Sequence, residues 1–287
     1  MSLSITPGLR QMALAAVYFS VMGLLVRLVP ALPAMEVVVF RTLISFCMSG
    51  FVLWYVGRSW VGKNRPLLML RGLTGFLGLS IYIYCIQVLT LAEAVTLQYL
   101  NPIFSSMLAP WFLKEKGRRR EWLAVFVAFT GVVLIANPQA SGHWPVAFLG
   151  VLGAMCSGVS YNIVRKLGLQ GEDPHVIVLY FPFIALILAS PFAAAHWVTP
   201  SGWEWLILLG VGVTTQLGQI SMSRGLALER ISRATVVNYV VIFLSTLFSF
   251  LIGDTISPSS LVGMGLIVVA LLIVSYRVPL RSPQSHQ

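Results

Sequence analysis

The chain has 287 residues, 57% of them hydrophobic and only 10% charged, where an ordinary soluble domain is about 25% charged. That balance excludes a soluble globular protein, and apolar spans of ~20 residues use so much of the length that no separate catalytic domain fits between them. The net charge of +10 would suggest nucleic acid in a soluble protein. Here the basic residues gather at span ends, where topology and anionic headgroups account for them, and no nucleic-acid partner is expected.

In chain order, ten transmembrane helices are predicted at 9–29, 34–56, 67–89, 94–113, 121–137, 145–164, 174–195, 203–223, 234–253 and 259–276. Each is close to the ~20 residues that cross ~30 Å of hydrocarbon as a helix. The first is long and interrupted by Tyr18 and Ser20, so it reads as a retained helix rather than a cleaved leader. Basic residues fall on alternate connections. Arg10 lies at the N-terminal end of span one, and Arg58, Lys63 and Arg65 follow span two, with Arg71 just beyond. Lys114, Lys116, Arg118, Arg119 and Arg120 follow span four, and Arg165 and Lys166 follow span six. Arg224, Arg230 and Arg233 follow span eight, and Arg277 and Arg281 follow span ten. The other connections carry none, which predicts cytoplasmic N and C termini. Arg27 and Arg41 are the exceptions, toward the outer ends of the first two spans, where they would make an outer vestibule basic. Cys47, Cys85 and Cys156 all lie within spans, so no disulfide framework is expected.

Polar side chains within the spans are costly in lipid and tend to face an internal cavity. Several share a helix face. Ser80, Tyr84 and Gln87 do so on span three, as do Gln98, Asn101 and Ser105 on span four. Ser157 and Tyr161 follow helical spacing on span six with Asn162 beside them, Gln216, Gln219 and Ser223 on span eight, and Asn238 and Ser245 on span nine. The serines also suit plain helix packing. The carboxamides Gln98, Asn101, Gln216, Gln219 and Asn238 are costlier to leave unpaired and are read as cavity lining. Tyr82, Tyr84, Tyr99, Tyr161 and Tyr239 lie too deep for the interfacial aromatic belt. A tyrosine gives an apolar wall with one hydrogen-bonding tip, which suits an organic solute better than a bare ion. Arg41, inside span two, needs a partner or a cavity. It is read either as gating or charge-selecting, or as a structural partner of Glu36. Pro102, Pro182 and Pro191 could kink their spans.

Residues 94–138 and 234–276 resemble each other: Ala94-Val-Thr-Leu-Gln-Tyr99 lies over Ala234-Thr-Val-Val-Asn-Tyr239, Ser105 over Ser245, and upstream Gly78 over Gly218. The chain therefore divides into five-span units at 1–140 and 141–287. Five is odd, so the second unit enters the membrane from the opposite side, an inverted-topology repeat. The stretch Leu91-Ala-Glu-Ala-Val-Thr-Leu-Gln-Tyr-Leu-Asn-Pro102, closing with Leu113-Lys-Glu-Lys116, resembles the fourth-span signature of EamA-type members of the drug/metabolite transporter superfamily. Phe40-Arg-Thr-Leu-Ile44 and Gly131-Val-Val-Leu-Ile-Ala-Asn-Pro138 are similar to other segments of that family. In the second unit, Ile242 replaces the proline equivalent to Pro102, and Asp254 stands where a Glu is usual. The resemblance implies a ten-helix alternating-access carrier whose spans one, three, four, six, eight and nine line a central cavity. It leaves the substrate open among amino acids, nucleotides, organic acids and drugs.

Other motifs fall away. Gly57-Arg-Ser-Trp-Val-Gly-Lys-Asn64 approaches a phosphate-binding loop, but Asn64 replaces the Mg²⁺-binding hydroxyl and no strand precedes it. His143, His175, His196 and His286 all lie in connections or the tail, so no metal site is expected. Neither a catalytic motif nor a mid-span acid is present, and no enzyme and no cofactor are expected. The sequence thus reads as an all-α secondary carrier of a small organic metabolite, a monomer or homodimer in a bacterial inner membrane. Amino-acid-like zwitterions or organic anions come first, with export of amphipathic or cationic compounds as the alternative.

Overall fold

Helix starts are written locally. Thr6 caps α1 (Pro7–Arg27), its hydroxyl accepting from Leu9 N at 3.3 Å, and Asn64 caps α3 (Arg65–Val88) by accepting from Leu67 N. Thr90 and Glu93 form a reciprocal capping box at α4 (Leu91–Gln98), and Asp173 with Pro174 opens α8 (Pro174–Ala195). The computed structural model describes residues 6–113, 119–136, 144–228 and 238–275, which fold into helices and their connections. The remaining helices are α2 (Ala34–Tyr55), α5 (Asn101–Leu113), α6 (Arg119–Ala136), α7 (Trp144–Leu169), α9 (Gly202–Leu228), α10 (Asn238–Leu251) and α11 (Pro258–Ser275).

Six of these, α1, α2, α3, α7, α8 and α9, are long and apolar enough to cross a membrane. The apolar stretches Trp122–Ile135, Val240–Leu251 and Pro258–Ile273 are shorter. The bundle is apolar outside and polar within. Trp111, Phe126, Trp203 and Phe243 are exposed, while Ser20, Ser49, Asn101, Asn162 and Gln216 are buried.

Span four is not one helix. Pro102 supplies no N–H, and in a continuous helix its ring would collide with the Gln98 carbonyl. The chain therefore leaves the helix at Tyr99 (φ −77°, ψ 10°) and restarts at Asn101, with Ile103 N and Phe104 N both donating to Leu100 O. Pro182 and Pro191 sit within α8, which continues through both. Helices α7 and α9 outrun the sixth and eighth predicted spans, so Arg165, Lys166 and Arg224 belong to final helical turns rather than to connections.

The principal packings are α1 on α9, α3 on α7, α2 on α8 and α6 on α11, with α4 and α5 against α7. Glycine sets the closest approaches. A Cβ at Gly131 would lie 2.6 Å from Gly263 O, one at Gly263 2.5 Å from Gly131 O, and one at Gly78 2.9 Å from Gly153 O.

Polar ties hold each end of the bundle. At one end Arg27 donates to Asp254 Oδ1 at 2.7 Å and to the Ile86 and Gln87 carbonyls, while Leu91 N donates to Asp254 Oδ2. There also Val198 N donates to Glu36 Oε2 at 3.0 Å, and Ser260 donates to Glu93. At the other end Arg58 pairs with Asp173, and Lys63 N donates to Glu172 Oε2 at 2.8 Å.

Candidate functional site

The helix break at Tyr99 opens onto a cavity of about 70 Å³ between α1, α2, α3, α7, α8 and α9. Its polar lining is Arg41, Arg71, Tyr82, Gln98, Tyr99, Asn101, Ser157, Ser160, Tyr161 and Gln219, and Phe19, Met22, Phe181 and Met222 supply apolar walls.

The two arginines dominate it. Arg41 is 3% exposed and Arg71 2%. Arg71 donates to Gln219 Oε1 at 3.1 Å, and its guanidinium lies 4.7 Å from the centroid of the Phe181 ring, a cation–π contact. The nearest polar contact of Arg41 is Met22 Sδ at 3.9 Å, a weak acceptor. Neither Nε has a hydrogen-bond partner, and neither guanidinium has a carboxylate within ion-pair distance among the described residues. Among the described residues no acid and no histidine lines the cavity. A buried charge left without its counter-charge costs about 3–5 kcal/mol. The cavity is thus a strongly electropositive chamber that an anion would neutralise.

The carboxamides are arranged around this pair. Gln98 Nε2 donates to Ser157 Oγ at 2.9 Å, tying α4 to α7 across the break. Asn101 Oδ1 is buried without a hydrogen-bond partner among the described residues.

Of the residues expected at a site, the structure brings together Arg41, Tyr82, Gln98, Tyr99, Asn101, Tyr161 and Gln219. The others go elsewhere. Tyr84 is 42% exposed on the outside of the bundle, because residues two apart on a helix differ by about 200° and only one of Tyr82 and Tyr84 can face inward. Asn162 donates to Ser105 O at 2.9 Å and Gly158 O at 3.1 Å, binding α7 to α5. Gln216 donates to Ser49 Oγ at 2.6 Å and locks α9 to α2. Glu36 is buried but holds Val198 N rather than Arg41, so the Glu36–Arg41 pair does not form. Arg27, expected to make a vestibule basic, is neutralised by Asp254. The side chains of Asn238 and Tyr239 lie outside the described residues.

Arg71 is the residue that the sequence reading placed with a basic connection. The signal was present. Arg71, Gly75, Gly78 and Tyr82 repeat at i, i+4, i+7 and i+11, two turns inside a helix already capped by Asn64. Of the stripe Ser80, Tyr84 and Gln87 on α3, Ser80 is buried while Tyr84 faces outward. Gln87 instead donates to Leu32 O at 2.6 Å.

The profile of the EamA-like transporter family matches the chain twice, over residues 6–137 and 144–276. The pseudopaline exporter CntI of Pseudomonas aeruginosa is 30% identical over 272 residues, covering 93% of this chain and 95% of that protein. The S-adenosylmethionine uptake transporter of Rickettsia felis is 24% identical over 258 residues, covering 89% of this chain and 87% of that one. Human solute carrier family 35 member G1 is 27% identical over 283 residues, covering 92% of this chain and 77% of its own length. A solved crystal structure superposes with a TM-score of 0.68 at 18% identity over 95% of this chain and 99% of its own, which shows a shared fold. With its two family matches and its polar chamber enclosed by apolar helices, the chain belongs to the EamA-like transporter family and is a membrane transporter of the drug/metabolite type.

Proposed function

We propose that this transporter is an alternating-access secondary carrier that moves small organic anions or zwitterions through the Arg41–Arg71 cavity. The observation that carries the reading is two buried guanidiniums facing one chamber without a protein carboxylate among the described residues. The alternative cargo, an amphipathic cation held by Tyr82, Tyr99 and Tyr161, would have to enter against both positive charges.

The same reading takes the chain as ten spans in two inverted five-span units, 1–140 and 141–287, with both termini cytoplasmic in a bacterial plasma membrane. The alternation of basic connections and the paired packings α1–α9 with α3–α7 support it. Relatives bear names for export and for uptake, so the assay should impose gradients of either sign. Purified protein in liposomes should take up labelled organic acids or amino acids in preference to nucleosides and lipophilic cations. Cation uptake with no movement of acids would return the cargo to the alternative.

A further inference from the structure

We propose that the cargo is a dianion, a small organic molecule with two carboxylates that bridges Arg41 and Arg71, each guanidinium taking one. This rests on the cavity being the transport site and names its substrate class.

The argument begins with charge. The two guanidiniums come from different helices and line one cavity. A monoanion between them neutralises one and leaves the other uncompensated in a low-dielectric interior. Two negative charges balance the chamber, and none of the described lining residues supplies even one.

Donor geometry points the same way. A guanidinium has five N–H donors, and Arg71 spends one of them on Gln219 Oε1 while Phe181 covers its face. That leaves its Nε edge for a ligand and makes Gln219 and Phe181 positioning residues that hold Arg71 as a fixed anchor. Arg41 has only the soft Met22 sulfur, so it can swing to meet a second carboxylate at a range of distances. Tyr82 and Tyr161 line the same cavity as the two guanidiniums, which supplies phenolic donors beside them. The expected fit is Arg71 on one carboxylate, Tyr161 beside the linker, and Arg41 on the other.

Ligand affinity of the purified full-length protein tests this. The probes are succinate, glutarate and adipate, the half-amide of each, and the matching monocarboxylates. The best diacid should bind at least about tenfold more tightly than its half-amide, the size of one charge-assisted hydrogen bond. In Arg41→Gln and in Arg71→Gln that ratio should fall toward one, and Arg41→Lys and Arg71→Lys should keep part of it. The ratio is taken within each variant, so a loss of stability alone does not move it, and the Lys variants serve if a Gln variant fails to fold. Equal affinity of diacid and half-amide for the parent protein overturns two-point recognition and leaves an anion carrier standing. Failure of every diacid to bind overturns the inference as well. Tight binding of lipophilic cations instead overturns the carrier reading beneath it.

Discussion

At the scale of single residues, sequence spacing found most of the chamber but misassigned its charge. Arg41 stood out because an arginine inside an apolar span demands an explanation. Arg71 did not, since it follows a run of basic residues and the alternation of charge absorbed it. Only the depth of Arg71 beyond the Asn64 cap separates it from Arg65, and helix bounds read from hydropathy are too coarse for that. Gln216 and Asn162 show the converse failure. Gln216 belongs to a polar stripe and Asn162 lies beside one, yet partners on neighbouring helices, Ser49 and the Ser105 carbonyl, claim their side chains.

Asp254 carries a prediction at this scale. Burial alone would raise its carboxyl, but the Leu91 N–H, Arg27 and Ser249 outweigh that and hold it below the ordinary carboxylate range. A carboxyl depressed on folding adds stability that is fully present above its unfolded pKa and is lost as pH falls through the folded one. Asp254→Asn should therefore lower stability at neutral pH by roughly 1–3 kcal/mol, the cost of an orphaned partner. The gap in melting temperature between variant and parent should close on acidification. A gap that does not change with pH would contradict this role.

At the scale of helices, the existence and order of apolar segments followed from composition, whereas their interruptions and contacts did not. Pro102 marked a kink in the sequence. That it splits span four, and turns Gln98, Tyr99 and Asn101 together into the cavity, depends on the neighbours that accept the break. The Gly131–Gly263 crossing is likewise invisible to periodicity, because glycine has no side chain to make a stripe. Since each would-be Cβ meets a backbone oxygen, neither helix can yield by turning a rotamer. Gly131→Val should cost about 1–3 kcal/mol by overpacking, read as a fall in melting temperature. Gly265→Ala, whose added Cβ would meet no neighbour within 4 Å, should be tolerated. Equal effects of the two substitutions would show that the α6–α11 contact is looser than described.

At the scale of the whole molecule, the charge alternation sorts the connections by end, and the described ties follow that sorting. Connections near Arg27, Leu91, Val198 and Asp254 meet at one end, and those near Arg58, Lys63 and Asp173 at the other. Apolar walls close the sides, and polar residues that lipid would penalise are drawn to the middle. What hydropathy cannot show is which polar groups satisfy one another and which are left facing the chamber. That division separates Gln216 from Arg71, and it follows from packing in three dimensions.

The most direct test of the account is the apparent Km for the best-transported organic anion in proteoliposomes, measured for Arg71→Gln beside its melting temperature. Loss of a charge-assisted contact worth ~1–3 kcal/mol predicts a rise in Km of about tenfold to a hundredfold, with maximal rate and stability much less affected. An unchanged Km accompanied by a fall in melting temperature would contradict it, and would make Arg71 a structural residue rather than the anchor of the cargo.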